Sequence, residues 1–214
     1  MKKLLIYIMI LLLFQSCMIK SNSSCQPNID SIWSQIVSNR QTWLNSWSDT
    51  LELDYFKISS VNSIQFSDFS DFVADSTFFY LYKNLIYFNQ DSNLIIDIYS
   101  YNTSLVAKDS QIVCDGFDVD TKGVLIDLKN KKNYQLFFYG SSVICNDILW
   151  INNTKFILMG SNFRENENNE DCYYPFFRIY DFSSATYYEY SYSNFFACNE
   201  TFFQKRFPFI KIDF

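Results

Sequence analysis

The stretch Gly123-Val-Leu-Ile-Asp-Leu-Lys-Asn-Lys-Lys-Asn-Tyr-Gln-Leu-Phe-Phe-Tyr139 (GVLIDLKNKKNYQLFFY) decides the fold class. Gly123–Lys129 and Tyr134–Tyr139 are apolar and aromatic runs parted by a short polar segment. A connection this short joins antiparallel strands, because a parallel pair needs a crossover of a dozen or more residues. Lys129, Lys131 and Lys132 fall in this polar segment and read as a solvated turn. Working outward, similar runs lie at Leu51–Ser59, Thr77–Tyr82, Leu85–Asn89, Leu94–Tyr101, Val143–Ile151, Phe156–Gly160, Phe176–Asp181, Thr186–Tyr192 and Phe207–Ile212. Asn, Asp, Ser and Gly punctuate them, as expected for strands joined by tight turns. Phe66–Phe72 (FSDFSDF) reads as a strand or a helical turn. The pattern predicts a mainly β domain built as an antiparallel meander, with a sandwich and a small propeller-like sheet both open. An internal echo supports a repeated hairpin. Leu125-Ile126-Asp127-Leu128 precedes Tyr134–Tyr139, and Arg178-Ile179-Tyr180-Asp181-Phe182 precedes Tyr187–Tyr190.

One segment has a different period. From Asn28 to Trp47, Ile29, Ile32, Trp33, Ile36, Val37, Trp43, Leu44 and Trp47 recur at three- and four-residue spacing. That spacing predicts an amphipathic helix, capped by Asn28 or Asp30 after Pro27. Its apolar face is expected to pack on the main sheet.

Composition excludes several function classes. The formal net charge is −6, which argues against nucleic acid, since phosphate binding needs clustered Lys and Arg. Histidine is absent. That removes Ser-His-Asp and Cys-His machinery and every His-ligated metal centre. No glycine-rich phosphate loop is present, and no cofactor is implied. Aromatic residues make up 20% of the chain while Gly is 4 and Pro 3. Codon bias accounts for that balance: Phe, Tyr, Asn, Ile and Lys are AT-coded, and Gly, Ala, Pro and Arg are GC-coded. The Asn-x-Ser/Thr sequons at Asn22, Asn102, Asn152 and Asn199 match the frequency expected from so much Asn, Ser and Thr, and carry no weight for glycosylation.

The amino terminus indicates location. Lys2 and Lys3 precede an unbroken apolar run, Leu4–Phe14, and Gln15-Ser16-Cys17 closes it. The run is too short for a transmembrane helix, which needs ~20 residues, and has the layout of a signal peptide. With a cysteine at its end, Met1–Cys17 resembles a bacterial lipoprotein signal. That resemblance implies cleavage after residue 16, acylation of Cys17 and a polar tether over 17–27; the length that remains suits a single domain over 28–214. The resemblance also implies a membrane partner through the lipid on Cys17 and a periplasm-facing location. A single acyl chain anchors only marginally, and the multiple acylation of that family meets the need. The other cysteines are Cys25, Cys114, Cys145, Cys172 and Cys198. Export permits disulfides, and Cys114 with Cys145 and Cys172 with Cys198 are the simplest pairs. Buried thiols are the alternative.

Acidic residues supply the remaining site candidates. Asp115, Asp118 and Asp120 in CDGFDVDTKG (114–123) are weak calcium candidates, and Lys129 stands where an EF-hand needs its bidentate Glu. No metal is otherwise expected. Asn162–Asp171 reads as an exposed polar loop. The chain is therefore expected to be an envelope lipoprotein with a binding or structural role, leaning away from an enzyme, whose partner is an envelope protein or a glycan. A carboxylate-based glycan hydrolase is a rival, with Asp97, Asp127 and Asp181 as candidate acids because each lies on a predicted strand. An immunity-type protein that blocks a toxin is another.

Overall fold

The structure is a computed structural model and describes residues 26–47, 50–72, 75–165, 171–196 and 202–213. It is mainly β, and its antiparallel sheets do not close into a barrel. The strands are β1 (Phe56–Ser63), β2 (Ser67–Asp71), β3 (Ile86–Phe88), β4 (Leu94–Asp97), β5 (Thr103–Lys108), β6 (Gln111–Phe117), β7 (Thr121–Asp127), β8 (Lys132–Tyr139), β9 (Val143–Asn152), β10 (Lys155–Glu165), β11 (Asp171–Asp181), β12 (Thr186–Tyr192) and β13 (Ile210–Ile212). The helices are α1 (Ile29–Asn39), α2 (Gln41–Leu44), α3 (Ser76–Tyr82) and α4 (Phe202–Arg206).

Two five-stranded sheets carry the fold. One has the order β1-β12-β11-β10-β9, the other β2-β8-β7-β4-β3. Each is a run of four antiparallel strands with an earlier strand added beside its last member, and in the second the β5–β6 hairpin leaves the run between β4 and β7. The echoed hairpins, β7–β8 and β11–β12, occupy equivalent places. In each, an aspartate at the strand end captures the turn: Asp127 accepts from the Asn130 backbone at 2.9 Å, and Asp181 from that of Ser183 at 3.0 Å. Each loop closes on a left-handed residue, Lys131 (φ 53°) or Ala185 (φ 51°). Side-chain capture of turn N–H groups is what Asp does well, so both hairpins are locally encoded. The meanders meet at their β3–β4 and β9–β10 loops, where Asp91 and Asn153 exchange two hydrogen bonds of 3.0 and 2.7 Å.

The inward faces of both sheets form one core, with Ile96, Leu125 and Leu136 on one side and Phe156, Leu158, Phe176 and Tyr180 on the other. The outer face of the β9–β12 meander is buried too. Ile157, Met159, Phe177 and Ile179 pack beneath α1 and α2. Strands covered on both faces read as continuous apolar runs rather than alternating ones. On the outer face of the second sheet, α3 covers Ile86, Ile95 and Ile126.

The Asn28–Trp47 segment is helical from Ile29 to Asn39, capped by the Asn28 side chain, and breaks at Arg40 (φ −130°, ψ 42°). The break lets Arg40 reach the Ile148 carbonyl with its Nε at 3.1 Å. It also lets Trp43 on α2 bury completely. An aromatic of that size removes about 150–250 Å² from water, on the order of 4–6 kcal/mol before entropy is charged against it.

Four sequence expectations need correction. Thr77–Tyr82 is a helix, not a strand: Asp75 caps it through the Thr77 N–H, and Phe78, Phe79 and Tyr82 pack on the sheet. The packing overrides the β preference of its residues. Leu94–Tyr101 stops at Asp97. Residues 103–117, not assigned to strands from sequence, form the β5–β6 hairpin, which joins β13 in a third sheet of order β13-β6-β5 with a parallel β13–β6 pair. The polar loop expected at 162–171 is shorter, because β10 extends to Glu165 and β11 starts at Asp171.

Candidate functional site

The third sheet stands against the end of the β9–β12 meander and leaves a cleft. One hollow, of about 380 Å³, is lined by Tyr99, Asn102, Thr103, Phe117, Asp118, Val119, Thr121, Ser141, Ile144, Cys145, Asn146, Phe202 and Phe203. A second, of about 580 Å³, is lined by Tyr82, Ser100, Tyr101, Asn102, Thr103, Ser104, Gly116, Phe117, Asp118 and Val119. Asn102, Thr103, Phe117, Asp118 and Val119 are common to both. Each is the size of a small-molecule site, about 300–1,000 Å³.

Buried hydrogen bonds hold the walls. Asp97 accepts from the backbone N–H of Tyr99 and of Ser100, both at 3.0 Å, and from the Ser100 hydroxyl. That tightens the turn leading into β5. Burial pushes the Asp97 carboxyl above its ordinary range, although these donors pull it down. Asp118 donates its N–H to the Asn102 carbonyl at 2.7 Å, closing the mouth of the β5–β6 hairpin. Its side chain accepts from the Val119 N–H at 2.7 Å. Tyr82 on α3 donates to the Thr103 carbonyl at 2.7 Å. The Tyr99 hydroxyl donates to the Asn146 carbonyl, so β9 and the wall are joined.

Two features of the cleft go beyond scaffolding. Asn146, 8% exposed, lines the first hollow, and its Oδ1 has no hydrogen-bond partner. A buried acceptor left without a donor costs roughly 1–3 kcal/mol. The rim is apolar and in solvent: Tyr101, Phe117, Val119, Phe138 and Ile144 are all exposed, Val119 at 70%. Phe117 packs edge-on against Phe203 at 5.0 Å and Tyr101 against Phe138 at 5.7 Å. Lys122 lies over the Tyr101 ring at 5.9 Å.

Beside Asn146 on β9 lies Asp147, wholly buried. Its Oδ2 is 3.4 Å from Arg40 Nε and 3.3 Å from Arg206 Nε, and its Oδ1 accepts from the Ile148 N–H at 2.9 Å. Burial raises its carboxyl, and the two guanidiniums oppose that rise. The cluster joins α1, β9 and α4 and so fixes the back wall. A buried arginine, Arg178, donates to Glu189 at 2.8 Å and faces the Tyr139 and Phe176 rings. Burial works against its charge, but Tyr139, Tyr180 and Glu189 hold its proton more firmly than usual.

The structure distributes the sequence-predicted residues unevenly. Cys17, Cys25 and Cys198 lie outside the described residues. Cys114 and Cys145 are not joined: both are buried free thiols, on the third sheet and on β9. Cys114 and Cys145 fill core positions, which is the role of a small hydrophobe. Cys172 is also a buried free thiol. Asp115, Asp118 and Asp120 do not gather, and no set of three His, Cys, Asp or Glu residues able to hold a metal ion occurs among the described residues. Strand alternation exposes Asp115, and Asp118 spends its oxygen on its own turn. Asp97, Asp127 and Asp181 do not face one another across the cleft. Asp97 and Asp127 serve turns at opposite ends of the β4–β7 pair, and Asp181, held by Lys155 at 3.0 Å, serves a turn of the other sheet. Asn146, Phe117, Tyr101 and Gly116 carry no motif and were invisible in sequence. The chain matches no protein-family model, no curated protein and no solved structure.

Proposed function

We propose that the protein is a membrane-anchored envelope lipoprotein that binds a neutral ligand in the cleft between its third sheet and β9. The two meanders serve as a sandwich-like scaffold, and the acylated Cys17 tethers it. The observation that carries the reading is a hollow of about 380 Å³, lined by the amides and hydroxyls of Asn102, Thr103, Thr121, Ser141 and Asn146, whose rim is exposed and apolar. A cluster of exposed apolar side chains marks an interaction site, and convergent polar groups in a preformed hollow mark ligand sites. A paired-carboxylate hydrolase has less support, since Asp118 is the one carboxylate among the residues lining either hollow.

The test has two arms. Radiolabelled palmitate is expected to enter the wild type and to be lost in Cys17→Ala. A photo-crosslinking residue at Val119, on the rim, is expected to give adducts in intact cells, while the same residue at Lys129, on the β7–β8 turn, gives none. Equal labelling at both positions refutes the cleft.

A further inference from the structure

The two hollows share one wall, and that arrangement suits a chain-like ligand rather than a single small molecule. We infer that they are subsites of one groove and that the occupant is an extended neutral oligosaccharide lying across the Asn102–Phe117 wall. This rests on the cleft being the binding site.

Three observations carry it. First, the lining is uncharged except for Asp118. An anionic or cationic polymer would meet no run of countercharge there. Second, its polar groups are hydroxyls and amides: Ser100, Asn102, Ser104 and Gly116 carbonyl-flanked backbone in one hollow, Thr121, Ser141 and Asn146 in the other. Sugar hydroxyls both donate and accept, so they match this set. Third, Phe117 and Tyr101 present ring surface at the rim. The apolar C–H face of a pyranose covers such surface while its hydroxyls stay hydrogen-bonded. Each hollow already has the volume of a small-molecule site, so a short oligomer is held by one hollow and a longer chain is needed to reach both.

Gly116 gives the second subsite its depth. Gly116 lines that hollow, and a Cβ built there meets nothing within 4 Å. The backbone φ of Gly116 is one that any L-residue adopts. A large residue at 116 therefore fills the second hollow without displacing protein.

The experiment measures binding of graded neutral oligosaccharides (malto-, cello-, xylo-, manno- and chito-series, one to six units) by calorimetry to the wild type, to Gly116→Trp and to Ser104→Trp, which fills the same hollow from β5. Asn146→Leu is the control for the first hollow. In one series the hexamer is expected to bind at least about tenfold more tightly than the dimer. Gly116→Trp and Ser104→Trp, melting with the wild type, erase that advantage and keep the dimer's affinity, whereas Asn146→Leu weakens both. Equal affinity for dimer and hexamer, or full hexamer affinity in both tryptophan variants, overturns the two-subsite groove and leaves the cleft standing. Binding of unstructured peptides in place of any sugar overturns the glycan assignment alone. Loss of neither ligand in Asn146→Leu takes down the cleft itself.

Discussion

Gly160→Ala tests whether the back of the cleft is packed as described. Gly160 lies on β10 where the register with β9 shifts, Met159 facing Asp147 and Gly160 facing Cys145. A Cβ at Gly160 would stand 2.2 Å from the Ile144 carbonyl oxygen and 2.7 Å from the Phe176 ring. Ordinary carbon contacts are about 3.5–4.0 Å, so one neighbour must give by more than about 1 Å. Phe176 is fully buried, and the other obstacle is backbone, so the strain is not relieved by one rotamer change. Overpacking costs about 1–3 kcal/mol, and backbone displacement puts this site at the upper end, near 3. At about 2–4 °C per kcal/mol for a domain of this size, Tm should fall by roughly 6–12 °C. Gly123→Ala meets the Phe137 ring at 2.2 Å. The obstacle there is the far end of one side chain, 7% exposed and stacked on Tyr139 at 4.8 Å, with no backbone atom in the way, so the loss should be smaller. Gly116→Ala meets nothing and should gain about 0.4–1 kcal/mol by restricting the unfolded chain. Thermal melts and urea midpoints of the three variants give the ranking. A Gly160→Ala melt within about 2 °C of wild type, or a Gly116→Ala loss as large, refutes the packing argument.

Three further outcomes follow from the buried polar groups. Asp147→Ala leaves Arg40 and Arg206 without their carboxylate. Breaking a buried pair costs about 3–5 kcal/mol, and with 33% of the Arg206 side chain in solvent a loss near the lower end is expected; Lys108→Ala, at the exposed Lys108–Asp213 pair, should leave the urea midpoint close to wild type, and equal midpoint shifts in the two would contradict this. Burial raises the Asp97 carboxyl above its unfolded value, so its contribution is fully present below about pH 4 and is lost as pH rises through the folded pKa, at about 1.4 kcal/mol per unit of separation; the stability of wild type relative to Asp97→Asn should therefore shrink between pH 4 and pH 7, and a constant or growing difference sinks the assignment. The Cys145 thiol is buried and pushed up to about 12, so alkylation at pH 8 followed by peptide mass spectrometry should leave it unmodified in the folded protein and modify it in urea; equal labelling in both states would show that the site is open.

The hairpins were legible in the sequence because they are local. Asp127 and Asp181 lie within three residues of the N–H groups they capture, and the connections are too short for anything but antiparallel pairing. The β5–β6 hairpin escaped notice because its residues, Thr103–Phe117, mix Ser, Lys, Asp and Gln with few aromatics. It is held as a strand pair by partners elsewhere, including β13 near the carboxyl terminus. The aromatic wealth was legible as composition, but not its use. Most rings fill the two cores, and Phe117 and Tyr101 differ from them only in location.

By itself, the sequence determined a mainly β chain of short antiparallel pairs behind a helix, because period and turn chemistry act over a few residues. Tertiary structure alone decided that Thr77–Tyr82 would be helical, that the two five-stranded sheets would share a core, and that Asn146, Gly116, Phe117 and Tyr101 would meet around one cleft. Those outcomes depend on pairs such as Phe56 with Tyr192 and Ile210 with Ile112. Contacts at that separation are set by how whole faces bury one another, and no local pattern encodes them.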